Sequence, residues 1–517
     1  MDWARDNAWL SDQNTDLERI FTYAPGTALA VKIVKSNGYH IQIWSLETDD
    51  EWDEWLCYEA NENHLDHGLH LILARRAGES SGKDPTSQAM SYTEWLGYNS
   101  ENTKSMVGLR CAQNFAALGG KQNAKQSSKQ ADIRKLPFSQ NTFKSICQKF
   151  RVHSSITKAI TRSASPSFTC EKVIMNQAAY VYNCRTSKEW PLDMALSATS
   201  YPEKGSTYAI LYGCVPNIER SLLRSLNSVR DEACHPLLMS GIFAELELLR
   251  HTRQVSLNII DVESKIFALD FESGDTEGLG RKELEKRNEA KRNTWLDMTY
   301  LRNSLITTNV QNEKMSKHAA DLSQEFYHSI EHPRQSPEFD ELETKLGARS
   351  GTSDTLVGDQ DYASPIAQKS LDHSGLTFVQ RMRQVGKKIE IRLNTIREEY
   401  EVKIRDCTMR VDGMAMATQW SHSETAVEMA LATNRESRVM KSISLVTMVF
   451  LPGTFFATVF SMTFFDWSGD DGKTRVSNYL WVYIVVTIVF TALTIGSWYF
   501  FVIHRRASEK SVEDEKC

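Results

Sequence analysis

The sequence predicts an α+β cytosolic domain, then one very long stalk helix, then two transmembrane helices near the C-terminus. Three observations support this fold class. Strand-like and helix-like segments alternate through the first 330 residues, apolar residues then recur at helical spacing from Phe378 to Met414, and two long charge-free segments follow.

The composition is ordinary and excludes some classes of function. The chain has 517 residues with a formal net charge of -6, so there is no basic surplus and we expect no nucleic-acid partner. Nine scattered cysteines include no Cys-x-x-Cys pair, which argues against a disulfide scaffold or a zinc knuckle. The first residues lack a basic segment followed by an apolar one, so we expect no cleavable signal peptide.

Residues 1–330 form the predicted cytosolic domain. Asn37-Gly38 separates two β-rich runs and predicts a hairpin, and Ser139 is placed to cap a helix. The segments AAYVYNC and STYAILYGCV are predicted to be strands. Long helices are expected from about His235-Pro236 onward and over 281–327. Residues 331–375 contain few large apolar residues and are predicted to be a disordered linker.

The stalk helix is predicted over residues 376–442. Its apolar positions advance by three or four residues, which describes one face of an α-helix packed in a bundle or coiled coil. These positions are Phe378, Met382, Val385, Ile389, Leu393, Ile396, Tyr400, Ile404, Cys407, Val411 and Met414.

The two charge-free segments are predicted membrane spans. Residues 443–465 and 479–503 contain 23 and 25 residues, and each would be about 35 Å long as a helix, enough to cross a bilayer. Basic residues precede the first span and follow the second, within the tail 504–517. The positive-inside rule therefore places both termini in the cytosol and the loop 466–478 on the other side. Which membrane the chain occupies, the plasma membrane or an internal one, is left open by these features.

Hydroxyl residues line one face of the first span. Five of them fall within an arc of about 100° when successive residues turn by about 100°. They are Ser444, Thr447, Thr454, Thr458 and Ser461, and Ser437, Met440 and Leu451 share the arc. Such hydroxyls either mediate helix packing and bond to their own carbonyls, or they form the wall of a water-filled pore. A single helix cannot enclose a pore, so the second alternative requires a symmetric oligomer.

Signals for catalysis are weak. Gly78 to Gly82 spell Gly-x-Ser-x-Gly, but a polar loop follows where a nucleophile elbow needs a helix. The histidines lack metal-ligand spacing, and His235 before Pro236 is expected to be structural. We therefore expect a protein that is not an enzyme and holds no permanent cofactor.

The segment MKSISLVTMVFLPGTFFATVFSMTFFDW resembles the first span of the CorA-type magnesium transporter superfamily. Met440-Lys441 and Leu451-Pro452-Gly453-Thr454-Phe455 stand as in that family, and the resemblance is specific over Arg435 to Ile503. A weaker likeness to the divergent fungal CorA-like branch includes LPFSQNTF, MALSATSYPEKGSTYAILYGC and HPLLM. The Gly-Met-Asn signature of the family is replaced here by Ser461-Met462-Thr463.

The resemblance implies a homopentamer in the membrane that transports a divalent cation, with Mg²⁺ the expected ion. Its pore would be lined by Ser437, Met440, Ser444, Thr447, Leu451, Thr454 and Thr458. Ser461, Met462 and Thr463 would form the outer mouth, where Asp466, Asp470 and Asp471 would attract cations. No metal-sensing carboxylates of the family can be matched in the cytosolic domain. The altered signature leaves a second hypothesis, a non-conducting membrane-anchored regulatory or interaction protein derived from such a channel.

Overall fold

The computed structural model describes residues 8–60, 67–76, 88–98, 132–161, 165–175, 177–271, 281–327, 377–461 and 480–514. The chain divides into two compact units, Met1–Met414 and Ala415–Cys517. The predicted linker, residues 331–375, and the Gly78–Gly82 motif lie outside the described residues.

A seven-stranded mixed sheet forms the centre of the first unit. Its strand order is β3-β2-β4-β9-β8-β7-β6, and only the neighbours β4 and β9 run parallel. The strands are β2 (Ala28–Val34), β3 (Gln42–Leu46), β4 (Gly68–Arg75), β6 (Ser167–Met175), β7 (Gln177–Arg185), β8 (Ala195–Tyr201) and β9 (Ser206–Cys214). Two short strands, β1 (Thr22–Tyr23) and β5 (Lys135–Leu136), pair with each other apart from this sheet.

The predicted hairpin at Asn37-Gly38 is confirmed. β2 and β3 pair antiparallel, and the chain turns between them at Lys35–Asn37. Gly38 ends this turn with φ of 68°, a left-handed conformation that glycine adopts without steric cost. The predicted strands AAYVYNC and STYAILYGCV are confirmed as parts of β7 and β9.

Helices cover both faces of the sheet. Alternating residues of β2 point to opposite faces, so Leu29 and Val31 join one apolar core and Ala28 and Ala30 join the other. Short helices complete the second core, and they are α1 (Asn14–Ile20), α2 (Asp49–Tyr58), α4 (Gln140–Lys149) and α5 (Ser155–Thr161). Another short helix, α3 (92–98), contributes Trp95 to the first core. The predicted cap of α4 is confirmed, because the Ser139 hydroxyl accepts the Thr142 amide hydrogen over 3.1 Å.

Long helices form the rest of the first core. They follow α6 (Pro216–Asn227) and are α7 (Leu238–Phe271), α8 (Arg281–Asp321) and α9 (Phe378–Phe460). A single π-helical turn, Leu322–Phe326, extends α8. The predicted apolar face of α9 is confirmed, since eight of its eleven positions are buried and Phe378, Ile389 and Ile404 are half-buried. This burial explains why apolar residues recur at helical spacing from Phe378 to Met414.

Two ion pairs on the rim join α9 to α7. Arg392 Nε donates to Glu245 Oε1 over 2.8 Å, and Arg410 Nη2 donates to Glu263 Oε1 over 3.0 Å. Both the arginines and the glutamates are 18 residues apart, which is five turns of helix on each partner. α7 and α9 therefore stay parallel in register over this distance.

The second unit contains the end of α9 and the helix α10 (Leu480–Asp514). Pro452 lies inside α9. Segments Met429–Val459 and Leu480–Phe500 are long and apolar enough to cross a membrane, and the most apolar part of each has no buried residue. The architecture thus matches the predicted class: an α+β domain, a long stalk helix and two C-terminal apolar helices.

Candidate pore-lining face

The two apolar helices of the second unit touch along one side of α9. Tyr483 Oη donates a hydrogen bond to the carbonyl oxygen of Gly453 over 3.3 Å, and a Cβ on Gly453 would lie 3.8 Å from the Thr487 methyl carbon. The rings of Phe456 and Phe490 lie 5.0 Å apart. A Cβ at Gly453 would make only an ordinary van der Waals contact with Thr487, so the contact between the two helices does not depend on glycine at this position.

The helix contact covers a face of α9 that the hydroxyl residues do not share. Met448, Pro452, Phe456 and Val459 are half-buried and recur at helical spacing. At about 100° per residue, this covered face lies roughly 125° around the helix from the centre of the hydroxyl arc. Within the second unit, packing of α10 on α9 thus leaves the arc uncovered.

All seven residues predicted to line a pore are exposed on that arc. Met440 and Leu451 expose 67% and 69% of their surface, and apolar residues off the arc are exposed as well, with Val439 at 56% and Val446 at 53%. The other five, Ser437, Ser444, Thr447, Thr454 and Thr458, are exposed as well. The fold therefore brings these residues to one continuous face of one helix.

Three threonines on the arc donate their hydroxyl hydrogens to their own helix. Thr447 Oγ1 donates to the Ser444 carbonyl over 2.9 Å, Thr454 to Leu451 over 3.0 Å, and Thr458 to Thr454 over 2.8 Å. This is the back-bonding that the sequence allowed as an alternative to a pore wall. It has a chemical consequence, because a hydroxyl whose hydrogen is committed presents only oxygen lone pairs to its surroundings.

The predicted outer mouth is described only in part. Ser461 is exposed, and its backbone amide donates to the Ala457 carbonyl over 3.0 Å, so the helical pattern extends to it. Met462, Thr463, Asp466, Asp470 and Asp471 lie outside the described residues.

The first unit contains a buried charge network that the sequence did not single out. Arg250 donates two hydrogen bonds to the Glu247 carboxylate, over 2.6 and 2.7 Å, and also binds the carbonyls of Trp190 and Pro191. His251, beside them on α7, shares a 2.9 Å hydrogen bond with the Tyr400 hydroxyl of α9. Burial lowers the pKa of His251 to about 4, so its ring is neutral at pH 7. Glu247, Arg250 and His251 stand at helical spacing and so share one face of α7, but the pairing of this face with Tyr400 depends on tertiary packing.

Two cysteines of the first unit have partly or fully buried thiols. Burial raises the pKa of the thiols of Cys170 and Cys184 to about 12, which keeps both protonated and poorly nucleophilic. Within the described ranges, no group of three or more His, Cys, Asp or Glu side chains is arranged to hold a metal ion. His235, expected to be structural, is completely buried.

Known proteins match this chain in structure and not in sequence. No protein-family model and no curated sequence matches this chain. The full-length CmaX protein matches in structure at 14% identity and a TM-score of 0.28, covering 67% of this chain and 79% of that protein. The complete CorA magnesium transporter from Methanocaldococcus jannaschii matches at 11% identity and a TM-score of 0.27, covering 90% of this chain and 96% of that protein. Similarity at this level carries no functional conclusion.

Proposed function

We propose that this chain is a CorA-like membrane transporter or channel for a divalent cation, with Mg²⁺ as the expected ion. We further propose that five copies enclose a pore lined by the hydroxyl arc of α9. The observation that supports this most directly is an uncovered face with acceptor-only hydroxyls in a helix long enough to span a membrane.

The donor pattern of the arc favours a cation. The water molecules around a hydrated cation point their hydrogens outward, so they need acceptors along the wall of a pore. Thr454 and Thr458 have committed their hydrogens to backbone carbonyls and therefore offer oxygen lone pairs. An anion would need donors at the same positions, and Thr454 and Thr458 could supply them only by releasing these backbone bonds.

Self-association is supported by a second apolar stripe on α9. In the first unit, Ile391, Val402 and Met409 expose 66%, 52% and 53% of their surface on the side opposite the buried stripe. Val402 and Met409 are seven residues apart, the spacing of a helix–helix seam. Exposed apolar side chains at this spacing are explained if a second copy of the chain covers them.

The proposed orientation has both termini in the cytosol. Arg435, Arg438 and Lys441 precede the first span, and their basic character follows the charge bias of cytoplasmic flanks. The proposed partners are accordingly the membrane and further copies of this chain. Transport by this route requires neither covalent chemistry nor a resident cofactor.

A non-conducting, membrane-anchored regulatory or interaction protein is the second candidate. It is favoured by the replacement of the Gly-Met-Asn signature with Ser461-Met462-Thr463, which removes the amide side chain at the mouth. The two candidates differ in one measurable property, which is ion flux.

Flux through purified protein in liposomes tests the proposal. A fluorescent Mg²⁺ indicator inside the vesicles should report uptake by the wild type. Thr458→Val removes an arc hydroxyl at nearly constant volume and should slow uptake, whereas Thr494→Val, an exposed back-bonded threonine on α10, should leave it unchanged. Absence of flux from correctly assembled wild type would favour the non-conducting candidate.

A further inference from the structure

The first three turns of α9 are attached to the α+β domain by a set of contacts separate from the rest of the helix. The Phe378 ring packs on Gly205 and lies 5.6 Å from the His67 ring, and Arg381 forms an ion pair with Asp231. Met382 and Val385 join a small apolar cluster with Cys234 and Tyr327, which meets the first core at Ile389.

Gly386 makes the tightest contact of this region. A Cβ at this position would lie 2.5 Å from Ser323 Oγ and 3.1 Å from His235 Nε2. Both distances are too short for an ordinary side-chain contact, so only glycine fits without a shift of its neighbours. Glycine inside a helix nevertheless weakens that helix relative to alanine.

The partner segments are also locally unfavourable. Ser323 lies in the π-helical turn Leu322–Phe326, a rare conformation that is often found at functional sites. Its hydroxyl donates to the Ala319 carbonyl over 2.8 Å rather than across to α9. The contact at Gly386 thus joins a weakened turn of α9 to an irregular turn that follows α8.

His235 adds an unsatisfied donor at the same place. The amide of Leu237 donates to His235 Nδ1 over 3.2 Å, which assigns the ring hydrogen of the neutral imidazole to Nε2. His235 is completely buried, and its Nε2 has no hydrogen-bond partner among the described residues. A buried donor without an acceptor destabilises the closed arrangement.

From these contacts we propose that residues 378–389 form a latch that opens as a unit from the α+β domain while residues 393–414 of the same helix remain packed. Three unfavourable features coincide at one contact of an otherwise consistent fold, and such coincidences are expected where a structure has to move. The latch goes beyond the proposed function and concerns only contacts within the first unit.

Hydrogen exchange measured by mass spectrometry on the full chain tests the latch. In the wild type, amides of 378–389 should exchange at least tenfold faster than those of 393–411, although both segments bury apolar side chains. The first-turn amides 378–380 are left out of the comparison, because the first turn of any helix lacks intrahelical acceptors. Gly386→Ala should accelerate exchange of 378–389 by a further tenfold and leave 393–411 unchanged. Adding Ser323→Ala removes the oxygen 2.5 Å from the new Cβ and should restore most of the protection.

Gly413→Ala is the matched control, because a Cβ there meets nothing within 4 Å in the same helix. It should leave exchange of 378–389 at the wild-type rate. Equal protection of 378–389 and 393–411 in the wild type would overturn the latch, as would the same response to Gly386→Ala and Gly413→Ala. The exchange data bear on the latch alone, whereas liposome flux bears on the proposed transport, so either can fail independently.

Discussion

Leu451 is the large apolar residue on the stretch of the arc from Ser444 to Thr458, whose other members carry hydroxyls, and its replacement tests the proposed pore most directly. In a symmetric assembly of five copies whose hydroxyl arcs face the central axis, the five Leu451 side chains would meet at that axis. They would exclude water from the part of the pore that they surround. A hydrated cation would lose hydration to pass, which is how apolar constrictions close channels. Leu451→Asn should wet this ring and raise the basal cation leak.

The size of the effect follows from the exposure of the side chain. Leu451 exposes 69% of its surface in the single chain. Burying a whole leucine side chain contributes about 2 kcal/mol, so covering half of the exposed part contributes about 0.7 kcal/mol per copy. Five copies contribute about 3.5 kcal/mol to the closed state, which corresponds to a closed-to-open ratio of roughly 300. We therefore expect the leak to rise by about two orders of magnitude.

The assay is Mg²⁺ uptake into liposomes and growth of cells that lack their own uptake system. Leu445→Asn is the control, because Leu445 lies on the side of α9 that faces α10, off the hydroxyl arc. It should lower the yield of assembled protein rather than raise the leak. An unchanged leak from normally assembled Leu451→Asn would refute the pore geometry, and a similar leak from both variants would show that the arc has no special role.

Three further predictions test the mouth, the linker and the buried network. Thr463→Asn restores the amide of the family signature and should increase Mg²⁺ uptake in the same cells. Deleting 331–374 in frame should leave the oligomer size unchanged in crosslinking, because the segment has too little apolar surface to form a core. Glu247→Gln should lower the free energy of unfolding by about 3 kcal/mol, since it leaves the buried Arg250 without its counter-charge, and thermal denaturation in detergent measures this loss. Burial raises the pKa of Glu247, but the charge of Arg250 and the hydrogen bonds from it outweigh this effect, so the pKa in the folded protein lies below the ordinary value for a glutamate. The stabilisation by this carboxylate is therefore present above the ordinary glutamate pKa and is lost as the pH falls through the lower pKa of the folded protein.

Each of these predictions has a contrary outcome. Uptake unchanged by Thr463→Asn in assembled protein would mean that the mouth is not the weak point. Collapse to monomers on deletion of 331–374 would contradict the proposed domain division. A Glu247→Gln variant as stable as the wild type, with the same acid sensitivity, would show that the carboxylate does not neutralise Arg250 in the folded protein.

Local periodicity was enough to predict several parts of this protein. The length of the two segments without charged residues predicted both apolar helices. The apolar residues at helical spacing from Met382 to Met414 predicted the buried face of α9, and Asn37-Gly38 predicted the β2–β3 turn. Helical geometry likewise assigned the hydroxyl residues to one arc of the first span. These features follow from the fixed rise and turn per residue, so neighbouring positions in the sequence are sufficient to reveal them.

Contacts between distant segments, in contrast, could be learned only from the packed fold. The sheet order, with β4 and β9 as its one parallel pair, joins strands separated by more than 130 residues. Tyr400 meets His251, and Gly386 meets Ser323 and His235, through contacts that no spacing in the sequence announces. Packing also showed that α10 covers the Gly453 side of α9 and leaves the hydroxyl arc uncovered. The physical reason is that helix–helix and helix–sheet contacts depend on the complementary shapes of surfaces assembled from several segments, whereas periodicity reports only the faces that each segment has available.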